Sequence, residues 1–343
     1  MSLTHPDFIS TFKRSRGAKR HSIWLPYFAG ATKTRGANYE FRYNGGTIVV
    51  SLKSLDVIML YGATGTLDVG FLDDCATYNV VILIHRRGVA APTLIFTEKS
   101  HTGEDVLTAQ ITTREHQIRA TYLARTLVKA RLDSSLTTMT TAFRAKLDKA
   151  RSITAVRLLE AEATKRHWSR FYSELSIEAS RRNDAHAVNK ALDAISVFML
   201  SVILRWVLFH RLSAAHGFLH EPTRYASLVY DLMEPYRYIG EQAVMRVYRA
   251  GMSEKALVAS SIEELKAMLD EEVYLTATHQ LVIRKTLLHG VVLALRAYLL
   301  GEMTRFVVPT EGPRRGGRKI VLSYTLPGRD APRLRNERKS KNG

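Results

Sequence analysis

GFLHEPTRYASLVYDLMEP, residues 217–235, sets a histidine, an aspartate and a glutamate into a stretch that otherwise reads as buried. Leu228, Val229, Leu232 and Met233 recur at helical spacing, and Pro235 stands where such a helix stops or kinks. Asp231 and Glu234 are three apart, so on that helix they share a face. A carboxylate in the last turn meets the negative end of the helix dipole, which is mildly unfavourable unless a cation lies close by. The stretch alone leaves two readings open: a surface carboxylate solvated by water, or an acid held beside a cation.

Around this stretch, from about residue 106 to 310, nearly everything reads as helix. Ile111, Ile118, Leu123, Leu127 and Val128 recur at helical spacings, with Arg114, Arg119, Arg125, Lys129 and Arg131 between them. Breaks are expected at Arg182-Asn183-Asp184, Pro222, Pro235, Gly240 and Gly251. The most apolar run is AISVFMLSVIL, residues 194–204, closed off by Asp193 and Arg205. It is too short to span a bilayer, so a core helix and no membrane partner are expected.

Residues 22–105 read instead as strands. YEFRYNGGTIVVSL has two alternating runs around Asn44-Gly45-Gly46, a hairpin signal. DVIMLYG, VVILIHRRG and APTLIFTE add further strands, with a short helix from near Thr66. The glycines of GATGTLDVG lack the Lys-Ser/Thr of a phosphate loop and read as turn and cap residues. The expected fold class is α+β: a small N-terminal β-sandwich-like domain, residues 22–105, then a larger all-α domain, residues 106–310. A basic arm, 1–21, and a basic tail, 311–343, flank them.

The arm and tail hold much of the net charge of +18. Both are poor in apolar residues. A polyanionic partner is expected, and nucleic acid leads over anionic membrane because no basic amphipathic anchor is present. Solubility alone is the alternative. The single cysteine, Cys75, excludes an intramolecular disulfide and a cysteine-built zinc site. It is expected to be a buried thiol in a reducing, cytoplasmic setting, and the first twenty residues show no apolar signal-peptide core.

Two more polar clusters lie in the helical half. LLEAEATKRHWSRFY, residues 158–172, places Glu160 and Glu162 before His167, Trp168, Phe171 and Tyr172. HGFLH spaces His216 and His220 four apart, which on a helix could hold a metal. The glutamate of the zinc-protease pattern is missing, and Gly217 argues against a rigid helix there.

GFLHEPTRYASLVYDLMEPYR resembles, nearly letter for letter, the signature of the CRISPR-associated integrase, the Cas-one family of the spacer-acquisition machinery. EAEATKRHWSRF is similar to that family's segment in which a glutamate precedes an aromatic pair, a register that selects Glu160 over Glu162. Asn189 resembles the asparagine opening the helix between the two elements. VIMLYGATGTLDVGFLDDCATYNVVILIHRRG follows the family's strand, glycine turn, helix and strand, and RATYLARTLVKARL its first long basic helix. The resemblance runs over about residues 22–305. Ala161, His167 and Tyr238 depart from the usual glycine, tyrosine and proline, and none of these changes removes a ligand.

The resemblance implies that Glu160, His220 and Glu234 form the catalytic centre and jointly bind one divalent cation. One imidazole with two carboxylates suits Mg²⁺ or Mn²⁺. Asp231 is implied as a carboxylate supporting the ligands, or as an additional ligand. The implied activity is that of a DNA endonuclease and integrase, inserting short fragments into a repeat array by attack of a 3′ hydroxyl, with no covalent enzyme intermediate. Implied partners are double-stranded DNA, a second copy in a homodimer and the small Cas-two subunit. Arg114, Arg125, Lys129 and Arg237 are expected to meet the DNA backbone. Two alternatives are a metal-dependent nuclease acting on branched or nicked DNA outside CRISPR, and a non-catalytic DNA-binding assembly protein.

Overall fold

A computed structural model of the chain describes residues 20–86, 92–95, 105–134, 140–181, 186–275, 277–313, 324 and 326–327. Most of the basic arm and tail, and the break at 182–184, lie outside the described residues.

Strands β1 (His21–Pro26), β2 (Gly30–Lys33), β3 (Asn38–Tyr43), β4 (Gly46–Ser51) and β5 (Leu55–Tyr61) come first. Helix α1 (Val69–Thr77) and strands β6 (Val81–His85) and β7 (Thr93–Ile95) follow. The β3–β4 hairpin turns through Asn44 and Gly45, with Tyr43 opposite Gly46. Gly46 adopts φ +112°, which a side chain would oppose. β2, β3 and β4 form one antiparallel sheet. The second sheet runs β1-β5-β6-β7, parallel except for β7.

Parallel strands are covered on both faces, which explains why LDVIMLY and VILIH are continuous apolar runs rather than alternating ones. The two sheets and α1 close on one core that includes Leu25, Phe41, Ile48, Ile58, Phe71 and Cys75. The expectation of two sheets over a common core therefore holds, although alternation gave no hint that one of them is parallel. Burial pushes the Cys75 thiol up to about 12, as befits a structural cysteine. Asp68 accepts hydrogen bonds from the amides of Gly70 and Phe71 and so caps α1.

The helical half comprises α2 (Val106–Glu115), α3 (Gln117–Ser134), α4 (Thr141–Lys149), α5 (Ile153–Glu174), α6 (Ala187–Phe209), α7 (Ser227–Met233) and α8 (Arg237–Arg249). A single 3₁₀ turn, Glu234–Tyr236, joins α7 to α8. Next come α9 (Glu254–Leu269), an antiparallel hairpin of β8 (Glu272–Leu275) and β9 (Gln280–Ile283), and α10 (Lys285–Leu299), with β10 (Glu311–Gly312) paired to β8. This small sheet corrects the all-α expectation. Val273, Tyr274, Val282 and Ile283 are β-favouring residues whose two short runs are bridged by a turn and buried against the helices.

Helix α6 is long and apolar enough to cross a membrane by composition alone. Here it is the central core helix, in contact with α7, α8, α9 and α10 and with strands β5 and β6. Arg205 on this helix lies 3.3 Å from Asp56 on β5, and Lys285 hydrogen-bonds the same carboxylate. Burial pushes the Asp56 carboxyl up, but Lys285 and Arg205 outweigh it and hold it below its ordinary value. The sheet and the helices are thus tied by a buried ion cluster as well as by apolar packing.

Candidate metal centre

The residues 217–231 form one hydrogen-bonded unit around a single acid. Asp231, on α7, has no solvent exposure. Its Oδ2 accepts from the amides of Phe218, at 2.5 Å, and Leu219, at 2.8 Å. Its Oδ1 accepts from the His220 amide at 3.0 Å and faces His220 Nδ1 at 2.7 Å. A carboxylate can only accept, so Nδ1 carries the hydrogen and the Nε2 lone pair is left for another partner. Burial pulls the His220 pKa down, but the hydrogen bond and charge of Asp231 outweigh it, and the net shift is upward. A Cβ at Gly217 would lie 2.7 Å from Asp231 Oδ2 and 2.8 Å from the His220 carbonyl oxygen, so this turn needs a residue without a side chain.

Glu160, on α5, and Glu234, just past α7, meet at a third residue. Arg131 on α3 places Nη1 2.7 Å from Glu160 Oε1, and the same nitrogen donates to Glu234 Oε2. Arg237 Nε donates to the other oxygen of Glu234 at 2.8 Å. Thr164 Oγ donates to Glu160 Oε1 at 2.7 Å from one turn along α5. The Glu234 side chain is only 3% exposed. Burial by itself pushes its carboxyl up, yet Arg131 and Arg237 hold it below its ordinary value. These guanidiniums are the cations that the helix-end position of Glu234 requires. Arg237 is followed one turn on by Glu241, whose Oε2 lies 3.0 Å from the buried His167 Nε2.

Two convergent carboxylates and an imidazole with a free Nε2 fit a hard divalent cation by donor chemistry. Among the described residues, however, no three His, Cys, Asp or Glu side chains already stand together as a cage. The point on which Glu160 and Glu234 converge is filled by the Arg131 guanidinium.

The family model for CRISPR associated protein Cas1 matches residues 29–280, well over half the chain. The chain belongs to the Cas1 family. Among solved structures, a casposase bound to integration product shares 18% identity at a TM-score of 0.72, covering 83% of this chain and 92% of that one. A Cas1 protein from Thermotoga maritima shares 16% at 0.70, covering 86% and 100%. A Cas6-RT-Cas1–Cas2 complex shares 15% at 0.67, covering 84% of this chain and 36% of the other. These likenesses are of fold. No curated protein sequence matches the chain.

All of Glu160, His220, Asp231 and Glu234 fall within the Cas1 match. Glu162 instead pairs with Arg166 on the exposed side of α5. His216 sits in a turn with Nδ1 2.6 Å from Ser213 Oγ, so no helical histidine pair forms. The four arginines and lysines expected to meet DNA all have partners within the chain. Arg114 donates to the carbonyls of Gly217, at 3.0 Å, and Glu221, at 2.6 Å, bracing the histidine turn. Arg125 donates to the carbonyls of Asp148 and Ala150, Lys129 pairs with Asp148, and Arg237 with Glu234.

Sequence reasoning missed Arg131, Thr164 and Gln110 as parts of this candidate centre. Gln110, fully buried, donates to the carbonyls of Ser213 and His216 and accepts from the Ser213 amide. The signal for Arg131 was present: it follows Leu127 by four residues and Val128 by three, in the buried stripe of α3. A guanidinium in an apolar stripe must meet an anion.

Proposed function

We propose that this Cas1-family chain is a divalent-metal-dependent DNA endonuclease and integrase that inserts short DNA fragments into a CRISPR repeat array. The observation that carries the reading is the convergence of Glu160 and Glu234 on one cationic position, with His220 Nε2 freed by Asp231. Glu160, Glu234 and His220 are the ligands. Asp231 fixes the imidazole tautomer and the turn that presents it. When bound, Mg²⁺ or Mn²⁺ supplies charge stabilisation at the scissile phosphate and lowers the pKa of the attacking hydroxyl. With a DNA 3′ hydroxyl as nucleophile the product is a joined strand; with water it is a nick.

In this reading residues 106–310 are the catalytic domain and residues 22–105 a β-rich unit packed against it. The basic arm and tail, 1–21 and 311–343, add contacts to DNA backbone. Arg119, Arg125, Arg151 and Arg305 line a cleft of about 710 Å³ beside α3, together with Tyr122 and Tyr298 and with no carboxylate among the lining residues. That lining suits phosphate and stacked bases. The fold shared with a casposase bound to integration product supports strand joining, and the fold shared with a Cas1–Cas2 assembly supports the small Cas2 subunit as a partner; a homodimer belongs to the same proposal.

The test is strand transfer from a short duplex with free 3′ hydroxyls into a supercoiled plasmid, with Mn²⁺ and with Glu160→Ala, His220→Ala and Glu234→Ala alongside. Joined product that all three variants lose supports the integrase. Nicking without joining, with Cas2 supplied, transfers the reading to a metal-dependent nuclease outside CRISPR. DNA binding unchanged by the substitutions, with no reaction, makes the chain a non-catalytic assembly protein.

A further inference from the structure

The Arg131 side chain is 10% exposed, and one of its nitrogens bonds both Glu160 and Glu234. Two carboxylates brought this close in a buried space repel one another unless a cation lies between them. Arg131 is that cation, and its one nitrogen holds the two acids adjacent. Glu234 is compensated again by Arg237 on its second oxygen. The ligand carboxylates are therefore already neutralised, and a further double positive charge at the same point would face a guanidinium within contact distance. Like charges at that separation in a poorly solvated space cannot both remain.

We propose that Arg131 is the resident counter-cation of this centre and is exchanged for the divalent ion, so that ion entry requires Arg131 to leave Glu160 and Glu234. Arg131 is thus a positioning residue that acts through the two glutamates: it keeps the ligand set assembled before the ion arrives and sets the affinity with which the ion is held. The exchange rests on the reading of Glu160, His220 and Glu234 as ligands. It separates two roles that would otherwise look alike in an activity assay. A residue that only supports the fold weakens ion binding when it is removed, whereas a competitor for the same oxygens strengthens it.

The experiment is a Mn²⁺ titration followed by calorimetry and by the electron paramagnetic resonance of free Mn²⁺, without DNA. It uses the full chain and the variants Arg131→Gln, Arg131→Lys and His220→Ala. Arg131→Gln, which removes the charge and leaves a shorter, neutral donor, is expected to bind Mn²⁺ about tenfold tighter or more, since each tenfold corresponds to about 1.4 kcal/mol of lost competition. Arg131→Lys, which retains the charge, should restore the wild-type affinity. Thermal melts in chelator and in Mn²⁺ check folding: Arg131→Gln should melt lower than wild type in chelator and gain more from Mn²⁺. Unchanged or weaker Mn²⁺ binding by a folded Arg131→Gln overturns the exchange. Wild-type binding that survives His220→Ala undamaged removes the ligand reading itself, so the two failures are distinguishable.

Discussion

His220 Nδ1 lies 2.7 Å from Asp231 Oδ1, and the same buried carboxylate takes the amide hydrogens of residues 218, 219 and 220. One acid therefore sets both the shape of the turn and the tautomer of the imidazole. Asp231→Asn keeps the size of the side chain but replaces one accepting oxygen with a donor. We expect a loss of about 2–4 kcal/mol in unfolding free energy, because at least one buried donor loses its acceptor. Mn²⁺ affinity should fall about 10–100-fold, the usual effect of removing a partner behind a metal-bound histidine. An unchanged urea midpoint together with unchanged Mn²⁺ affinity would count against this account.

The same pair sets a pH dependence. The net upward shift of His220 means that its imidazolium persists above the ordinary value of 6.5. Protonation at Nε2 excludes ligation, so the Mn²⁺ affinity should rise with pH and level off once the imidazole is neutral. The contribution of the His220–Asp231 pair to folding has the opposite trend: it is complete below the unfolded pKa and declines as pH rises through the folded one. An Mn²⁺ affinity that does not change with pH on either side of neutrality would contradict the assignment.

Gly217→Ala places a methyl 2.7 Å from Asp231 Oδ2 and 2.9 Å from the Ser227 backbone carbon. Neither neighbour can retreat without breaking the turn. A destabilisation of about 1–3 kcal/mol is expected, as for other overpacked sites. Chemical denaturation of the variant would report it, and a loss below about half a kcal/mol, the range of ordinary surface substitutions, would show that the turn is compliant.

His289 stacks on Trp206 with ring centroids 3.6 Å apart and faces His210 Nε2 at 2.9 Å. Burial, then the neighbouring His210 and Arg205, lower its pKa to about 3. The unfolded chain binds this proton far more readily, so stability present above the ordinary value is lost as pH falls towards the folded one, at about 1.4 kcal/mol per pH unit. His289→Gln should flatten the acid limb of the stability profile between pH 6.5 and 4. Parallel profiles for the two proteins would refute it.

Arg119, Arg151 and Arg305 line the basic cleft. Replacing them singly with alanine should weaken DNA binding similarly for all sequences and lower the slope of log affinity against log salt by about one for each lost phosphate contact. Fluorescence anisotropy across a salt series would decide it, and slopes identical to wild type would place the DNA elsewhere.

Much of the arrangement was legible along the chain because it is written in local periodicity. The β3–β4 hairpin, the strands β5 and β6 and the long helices follow from alternation and turn residues, from short apolar runs and from three-to-four spacing respectively, all of which act over a few neighbours. The β8–β9 hairpin was not legible in that way. Its strands are four residues each, too short for a periodic signal, and they are buried in the tertiary fold. The parallel register of β1, β5 and β6 is equally nonlocal, since it depends on crossovers such as α1.

The centre divides along the same line. By its own pattern and the family resemblance, the sequence determined the Cas1 membership and selected Glu160, His220, Asp231 and Glu234. Residues at helical spacings or in a single turn share a face wherever the rest of the chain lies. Only the tertiary structure decided what meets those side chains. Arg131 is 29 residues from Glu160 and 103 from Glu234, yet one of its nitrogens bonds both. Gln110 and Arg114 reach the histidine turn across more than a hundred residues. Charges buried in a low-dielectric interior must be paired. Which partner answers depends on how α2, α3, α5 and α7 pack, and no stretch of sequence contains that packing.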